Sequence, residues 1–215
     1  LYGIFENTTE NTSNKNFQLH VHDDYEIYLF MEGDSRFVIE ESSYDLEPGD
    51  MIKYEKTSFI GESAFRDCIS LEKLTIRNGL IKIGERAFEN CPVLTEINLP
   101  DGLAEIYGSA FNGCKKLKSI KLPENLTVIG ETAFADCVSL EKMVLPDSVI
   151  KVDDLVFSGC TALKEIVLPM GIKKIGKAAF KGCRSLSFAT IPASVTYLAT
   201  DLFRGCESLR SIQVS

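Results

Sequence analysis

Seven cysteines, Cys68, Cys91, Cys114, Cys137, Cys160, Cys183 and Cys206, follow one another at intervals of 23 residues without a single irregularity. The surroundings of each return with it. A Phe stands three residues before every Cys, from Phe65 to Phe203, and a Leu three residues after, from Leu71 to Leu209. A period of roughly 20–29 residues marks a solenoid, in which each unit is one coil and only the stack has a core. No coil of this length folds alone.

Inside a unit, a Gly followed by A-F-x-x-C-x-x-L spaces apolar residues three and four apart, which predicts one face of a helix of about two turns. The next stretch alternates: residues 95–99, 118–122 and 164–168 place an apolar side chain at every second position, the pattern of a strand with one buried face. Pro100, Pro123, Pro146, Pro169 and Pro192 end those strands, because Pro has no N–H to extend a ladder. Leu80, Leu103, Leu126, Val149, Ile172 and Val195 return to the core before the next coil begins. The expected architecture is a right-handed stack of seven coils with a parallel sheet on one face.

The unit I-G-x-x-A-F-x-x-C-x-x-L-x-x-I-x-L-P, carried over residues 58–215, resembles the bacterial leucine-rich repeats called BspA-like. That resemblance implies an α/β leucine-rich-repeat solenoid. Departures are local: Tyr107, Asp153 and Ala199 replace the Gly, Val156 and Leu202 replace the Ala, and Met143 and Ala189 take an Ile position. Seven Cys at repeat positions read as a ladder of buried thiols. They are neither a disulfide framework nor nucleophiles, since burial raises a thiol's pKa and leaves no thiolate.

The outward residues of each strand fall five and seven after the Cys, and this is where the coils differ. Val144, Val167 and Phe188 are expected to form an apolar stripe on three successive strands, with Lys121 and Lys142 beside it as partner-binding residues. The competing reading is that branched and aromatic residues simply favour strands. The last coil carries Leu209, Ile212 and Val214 on what reads as an open edge, a place for a homodimer contact.

Charge divides the chain. Residues 1–54 hold 12 acidic and 3 basic side chains, whereas the remainder is close to neutral; both His lie before Tyr54 and every Cys after it. Two regions follow, residues 1–56 and 57–215. The overall charge of −8 argues against nucleic acid as a ligand, and no apolar run is long enough to insert in a membrane.

Residues 17–54 read as short strands joined by turns, one of them at Glu47-Pro48-Gly49-Asp50. His20, His22 and Glu26 share parity, which makes a partial metal site conceivable on one strand face. The run H-V-H-D-D-Y-E-I-Y-L-F-M-E-G followed by Y-D-L-E-P-G-D is similar to the first half of a cupin, in particular the ligand-sensing arm of AraC-type regulators. The resemblance implies a small all-β half-cupin, with His20, His22 and Glu26 as three of four metal ligands. The fourth has no source, because no His follows His22. The half-barrel needs a cover, either the first coil of the solenoid or the same half of a second chain, which would make a homodimer.

The leading functional expectation is a non-enzymatic protein-interaction scaffold without cofactor, whose protein partner the residues do not identify. The alternative is a sensor in which the arm binds a small, sugar-like molecule and the repeats are its output; a metal-dependent cupin enzyme is a third reading. Seven unpaired Cys and the lack of an export signal in residues 1–20 favour the cytoplasm. The repeat resemblance favours a bacterial surface or secreted protein.

Overall fold

Each phenylalanine of the repeat stacks face to face on the next, with ring centroids 5.0 to 5.8 Å apart and planes within 13° of parallel from Phe65 to Phe203. This column is the axis of a solenoid of seven coils. The structure is a computed structural model, and it describes residues 36–39, 42–45, 59–76 and 79–214.

The strands in chain order begin with β1 (Arg36–Ile39) and β2 (Ser42–Asp45), an antiparallel pair in which Arg36 lies opposite Asp45. The solenoid follows with β3 (Phe59–Ile60), β4 (Lys73–Thr75), β5 (Lys82–Ile83), β6 (Glu96–Asn98), β7 (Glu105–Ile106) and β8 (Val128–Ile129). It continues through β9 (Lys142–Val144), β10 (Lys151–Val152), β11 (Glu165–Val167), β12 (Lys174–Ile175), β13 (Phe188–Ile191) and β14 (Ser211–Val214). Every solenoid pairing is parallel and joins residues 23 apart.

Two strand rows run along the stack. The expected row contains the pairs β4-β6, β9-β11 and β13-β14; its third coil, at 118–122, keeps the position without a strand. Pairing is nonetheless carried past it by the Glu141 N–H, which donates to Lys118 O at 3.0 Å. The other row, β3-β5-β7-β8 and then β10-β12, was not expected. Its members are two residues long, too short for alternation to announce them.

The segment from the Gly to the Leu is not a helix, and no helix forms among the described residues. Two residues per coil adopt left-handed backbone there. Five before each Cys, Ser63, Arg86, Ser109, Thr132, Leu155, Ala178 and Asp201 have φ of 53° to 59°. One before each Cys stand Asp67, Asn90, Gly113, Asp136, Gly159, Gly182 and Gly205, all with positive φ. A right-handed helix cannot contain such residues. Their effect is to send alternate N–H groups across the stack: Ser63, Phe65 and Asp67 donate to Glu85 O, Ala87 O and Glu89 O at 2.7 to 2.8 Å. The N–H groups between them close local turns, as from Arg66 to Ser63 O at 3.1 Å. The arc is therefore a third hydrogen-bonded ladder along the axis.

The interior is apolar throughout, and no polar or charged residue is buried among those described. Phe88, Phe111, Phe134, Phe157 and Phe180 are wholly inaccessible, as are the five central cysteines. Those thiols are all free. Each does more than fill space: Cys91 Sγ donates to Phe65 O at 3.1 Å, and Cys114, Cys137, Cys160, Cys183 and Cys206 repeat the bond to the Phe of the preceding coil at 3.1 to 3.2 Å. The same carbonyl accepts the N–H of its own coil's Cys, from Cys68 to Phe65 O at 3.3 Å. The thiol thus meets the second lone pair of a buried carbonyl, which an apolar side chain of similar size leaves empty.

Candidate functional site

The outer side of the β4–β14 row is built by parity. On β9 and β11 the central residues, Met143 and Ile166, enter the core, so the residues on either side must face out. Register then sets Val144 directly opposite Val167 and Lys142 opposite Glu165. Val144 is 47% and Val167 40% exposed. Lys121, also exposed, precedes Val144 by one period and continues that line.

Phe188 is exposed as expected but occupies a different line. It follows Glu165 by 23 residues and pairs with Ser211, while Thr190 is the residue that continues the Val144–Val167 line. The apolar surface is accordingly a bent patch, two valines in one line and a phenylalanine in the next, and not a straight stripe. Lys142 is also partly committed, since its Nζ lies 3.0 Å from Glu165 Oε2. The same line holds a second pair, Lys73 with Glu96 at 3.3 Å. Surface pairs of this kind are screened by water and leave the face close to neutral.

The other strand row carries a cluster that the sequence reading passed over. Lys82 Nζ lies 3.1 Å from Glu105 Oε2, and the Tyr107 hydroxyl donates to the same oxygen at 2.5 Å. Both contacts hold the Glu105 carboxyl below its usual range, the tyrosine bond first and the lysine second. The same carboxylate pushes the Lys82 and Tyr107 pKa values up. Tyr107 stands where most coils have Gly, and its ring lines an open cleft of about 320 Å³ with Phe59, Ile60, Gly61, Glu62, Lys82 and Gly84. The signal for this cluster was Tyr107 itself, a departure from the repeat, together with opposite charges exactly one period apart at Lys82 and Glu105.

The thiols of Cys68, Cys91, Cys137, Cys160, Cys183 and Cys206 are all held above their ordinary pKa, which disfavours the nucleophilic thiolate. The neighbouring Cys114 thiol, aided by burial and opposed by Cys68, pushes Cys91 up to about 12. Burial alone is the main cause that raises Cys137, Cys160, Cys183 and Cys206. His20, His22 and Glu26 lie outside the described residues, as does most of the half-cupin; its described part is the β1–β2 antiparallel pair. Among the described residues no group of His, Cys, Asp or Glu is placed to hold a metal ion, and no helix is long and apolar enough to cross a membrane.

Comparison with known proteins agrees with this geometry. The leucine rich repeat protein of T. pallidum is 34% identical over 60% of this chain and 71% of its own, with a TM-score of 0.52. A leucine rich cell surface protein of Faecalibacterium prausnitzii A2-165 is 26% identical with a TM-score of 0.70; 89% of this chain is covered, which spans 55% of that protein's length. No curated protein matched the chain. Residues 4–57 match the AraC-like ligand binding domain. Residues 50–164 and 127–215 match the BspA type leucine rich repeat region (6 copies), and with its coils stacked in register at that family's period the chain belongs to it.

Proposed function

We propose that the chain is a non-enzymatic protein-binding scaffold whose partner surface is the outer face bearing Lys121, Lys142, Val144, Val167 and Phe188. The supporting observation is the exposed, register-matched Val144–Val167 pair with Phe188 beside it, on a row of strands fixed by three ladders. Exposed apolar area on a rigid face is where partners bind. The test places a photo-crosslinking phenylalanine analogue at position 188 and, as a control, at exposed Glu124. A discrete adduct specific to position 188, lost in Val144→Ser/Val167→Ser, is expected. Identical adducts at both positions would overturn the reading.

The match of residues 4–57 to the AraC-like ligand binding domain supports a second reading, in which residues 1–56 form a separate unit that binds a sugar-like molecule and residues 57–215 are its output. Its test is a thermal shift on titration with sugars, where a concentration-dependent rise in midpoint is expected. A divalent metal held by His20, His22 and Glu26 belongs to that reading, and metal analysis of the purified protein decides it. Homodimers through residues 1–56 or through the exposed Ile212 and Val214 of β14 are further proposals. For location, the unpaired thiols support the cytoplasm, whereas the surface description of the F. prausnitzii relative supports the cell exterior. Protease treatment of intact cells separates the two.

A further inference from the structure

Six of the ten ion pairs among the described residues join side chains one period apart, among them Arg66 with Glu89, Lys82 with Glu105, Lys142 with Glu165 and Lys164 with Glu141. Two groups of lysines stand outside these pairs, Lys115, Lys116, Lys118 and Lys121 on the third coil and a second group on the sixth. Lys173, Lys174, Lys177 and Lys181 are all exposed, on β12 and the arc after it, and among the described residues none has a carboxylate within ion-pair distance. Two of them have a basic neighbour one period away: Lys174 lies directly opposite Lys151, which pairs with Asp153, and Lys181 is followed at the same position of the next coil by Arg204, which pairs with Asp201. Like charges facing each other across a parallel pair destabilise it unless an anion lies over them. Tyr197 on the seventh coil, 70% exposed and one period after Lys174, adds an aromatic ring to this basic face.

We propose that this face docks the acidic residues 1–54 of a second copy of the chain, through the segment Asp23-Asp24-Tyr25-Glu26-Ile27-Tyr28. Complementarity is the reason: that region carries a net charge of −9, and the segment combines three carboxylates with two tyrosines and an isoleucine, a match for lysines beside Tyr197. A second copy is chosen because residues 1–54 enter the solenoid at its first coil. The lysines lie five coils on, about 24 Å along the axis at about 4.8 Å per strand. Head-to-tail contact between copies needs no such span and generates open chains of molecules.

Sedimentation velocity of the full chain over a concentration series tests this at about 0.1 M and about 1 M NaCl, where the screening length falls from about 10 to about 3 Å. Association that strengthens with concentration and dissolves at high salt is expected. K173Q/K174Q/K177Q/K181Q should weaken it by about tenfold or more with an unchanged thermal midpoint. D23K/D24K alone should weaken it equally, and mixing D23K/D24K with K174E/K177E should restore hetero-association. Association untouched by the lysine variant overturns the proposal. A chain that stays monomeric overturns it too, in favour of docking within one chain if D23K/D24K alters hydrogen exchange on the sixth coil, or of a polyanion if dextran sulfate binds through the same lysines.

Discussion

Cys137 Sγ donates a 3.2 Å hydrogen bond to the carbonyl of Phe111, 26 residues earlier in the chain and one coil away in space. The repeat therefore keeps cysteine for its donor as well as its size, and the two roles separate by experiment.

Cys137→Ala removes both the bond and the volume at a fully buried position. We expect a loss of about 1–2 kcal/mol in urea unfolding. Cys206→Ala, at the half-buried end of the ladder, should cost less than half as much. Equal costs at both positions would show that burial of the thiol is irrelevant.

The raised thiol pKa values carry a pH dependence. The folded thiols of Cys91, Cys137 and Cys160 hold their protons above the ordinary value near 9, so the stabilisation is complete below that pH and is lost as pH rises toward the folded values, about 12 for Cys91. Above about pH 9 stability should fall by up to about 1.4 kcal/mol per pH unit for each such thiol, because the unfolded chain releases protons that the native one keeps. Equilibrium unfolding between pH 7 and pH 10.5 measures it. Alkylation at pH 8 should be slow in the native protein and complete after denaturation.

Gly84 and Gly102 predict opposite outcomes for the same change. A Cβ on Gly84 would lie 2.7 Å from Gly61 C and 2.8 Å from Ile60 O, because adjacent coils touch through their backbones there. Gly84→Ala should cost about 2 kcal/mol or more. Gly102→Ala meets only Leu80 O at 3.6 Å and should stay within about 0.5 kcal/mol of the parent. Gly182→Ala isolates the backbone cost, since φ is 73° and its nearest neighbour is at an ordinary 3.7 Å; about 1 kcal/mol is expected.

Phe188→Asp should leave the unfolding free energy within about 0.5 kcal/mol of the parent, since the ring is 45% exposed and supports no neighbour in the core. Partner binding is the property it should abolish. A large loss of stability would reassign Phe188 to structure.

The columns of the core were legible because burial repeats with the period: Phe, Cys, Leu and the strand Ile recur at fixed offsets, and all of them in the middle coils are buried. The helix was misread because apolar spacing of three and four also fits an arc of alternating turns. The clue lay one residue before each Cys, where only Asp, Asn or Gly appears, the residues that accept left-handed backbone. Leu155 and Arg86 at the other left-handed position gave no such warning. The bend in the candidate patch was readable by counting, for Phe188 stands five after its Cys and Val167 seven. The Lys82–Glu105–Tyr107 cluster was hidden, because it depends on a strand row only two residues wide.

Every coil hands its successor the same carbonyls it borrows from its predecessor, with the arc, the strands and the thiols all in step at 23 residues. Such a body is closed by translation and has no preferred length. Adding or dropping a whole turn keeps every ladder in register and changes stability by that one turn's share, whereas one inserted residue throws three ladders out of phase together. The coil count is therefore free to track the size of whatever the outer face must span.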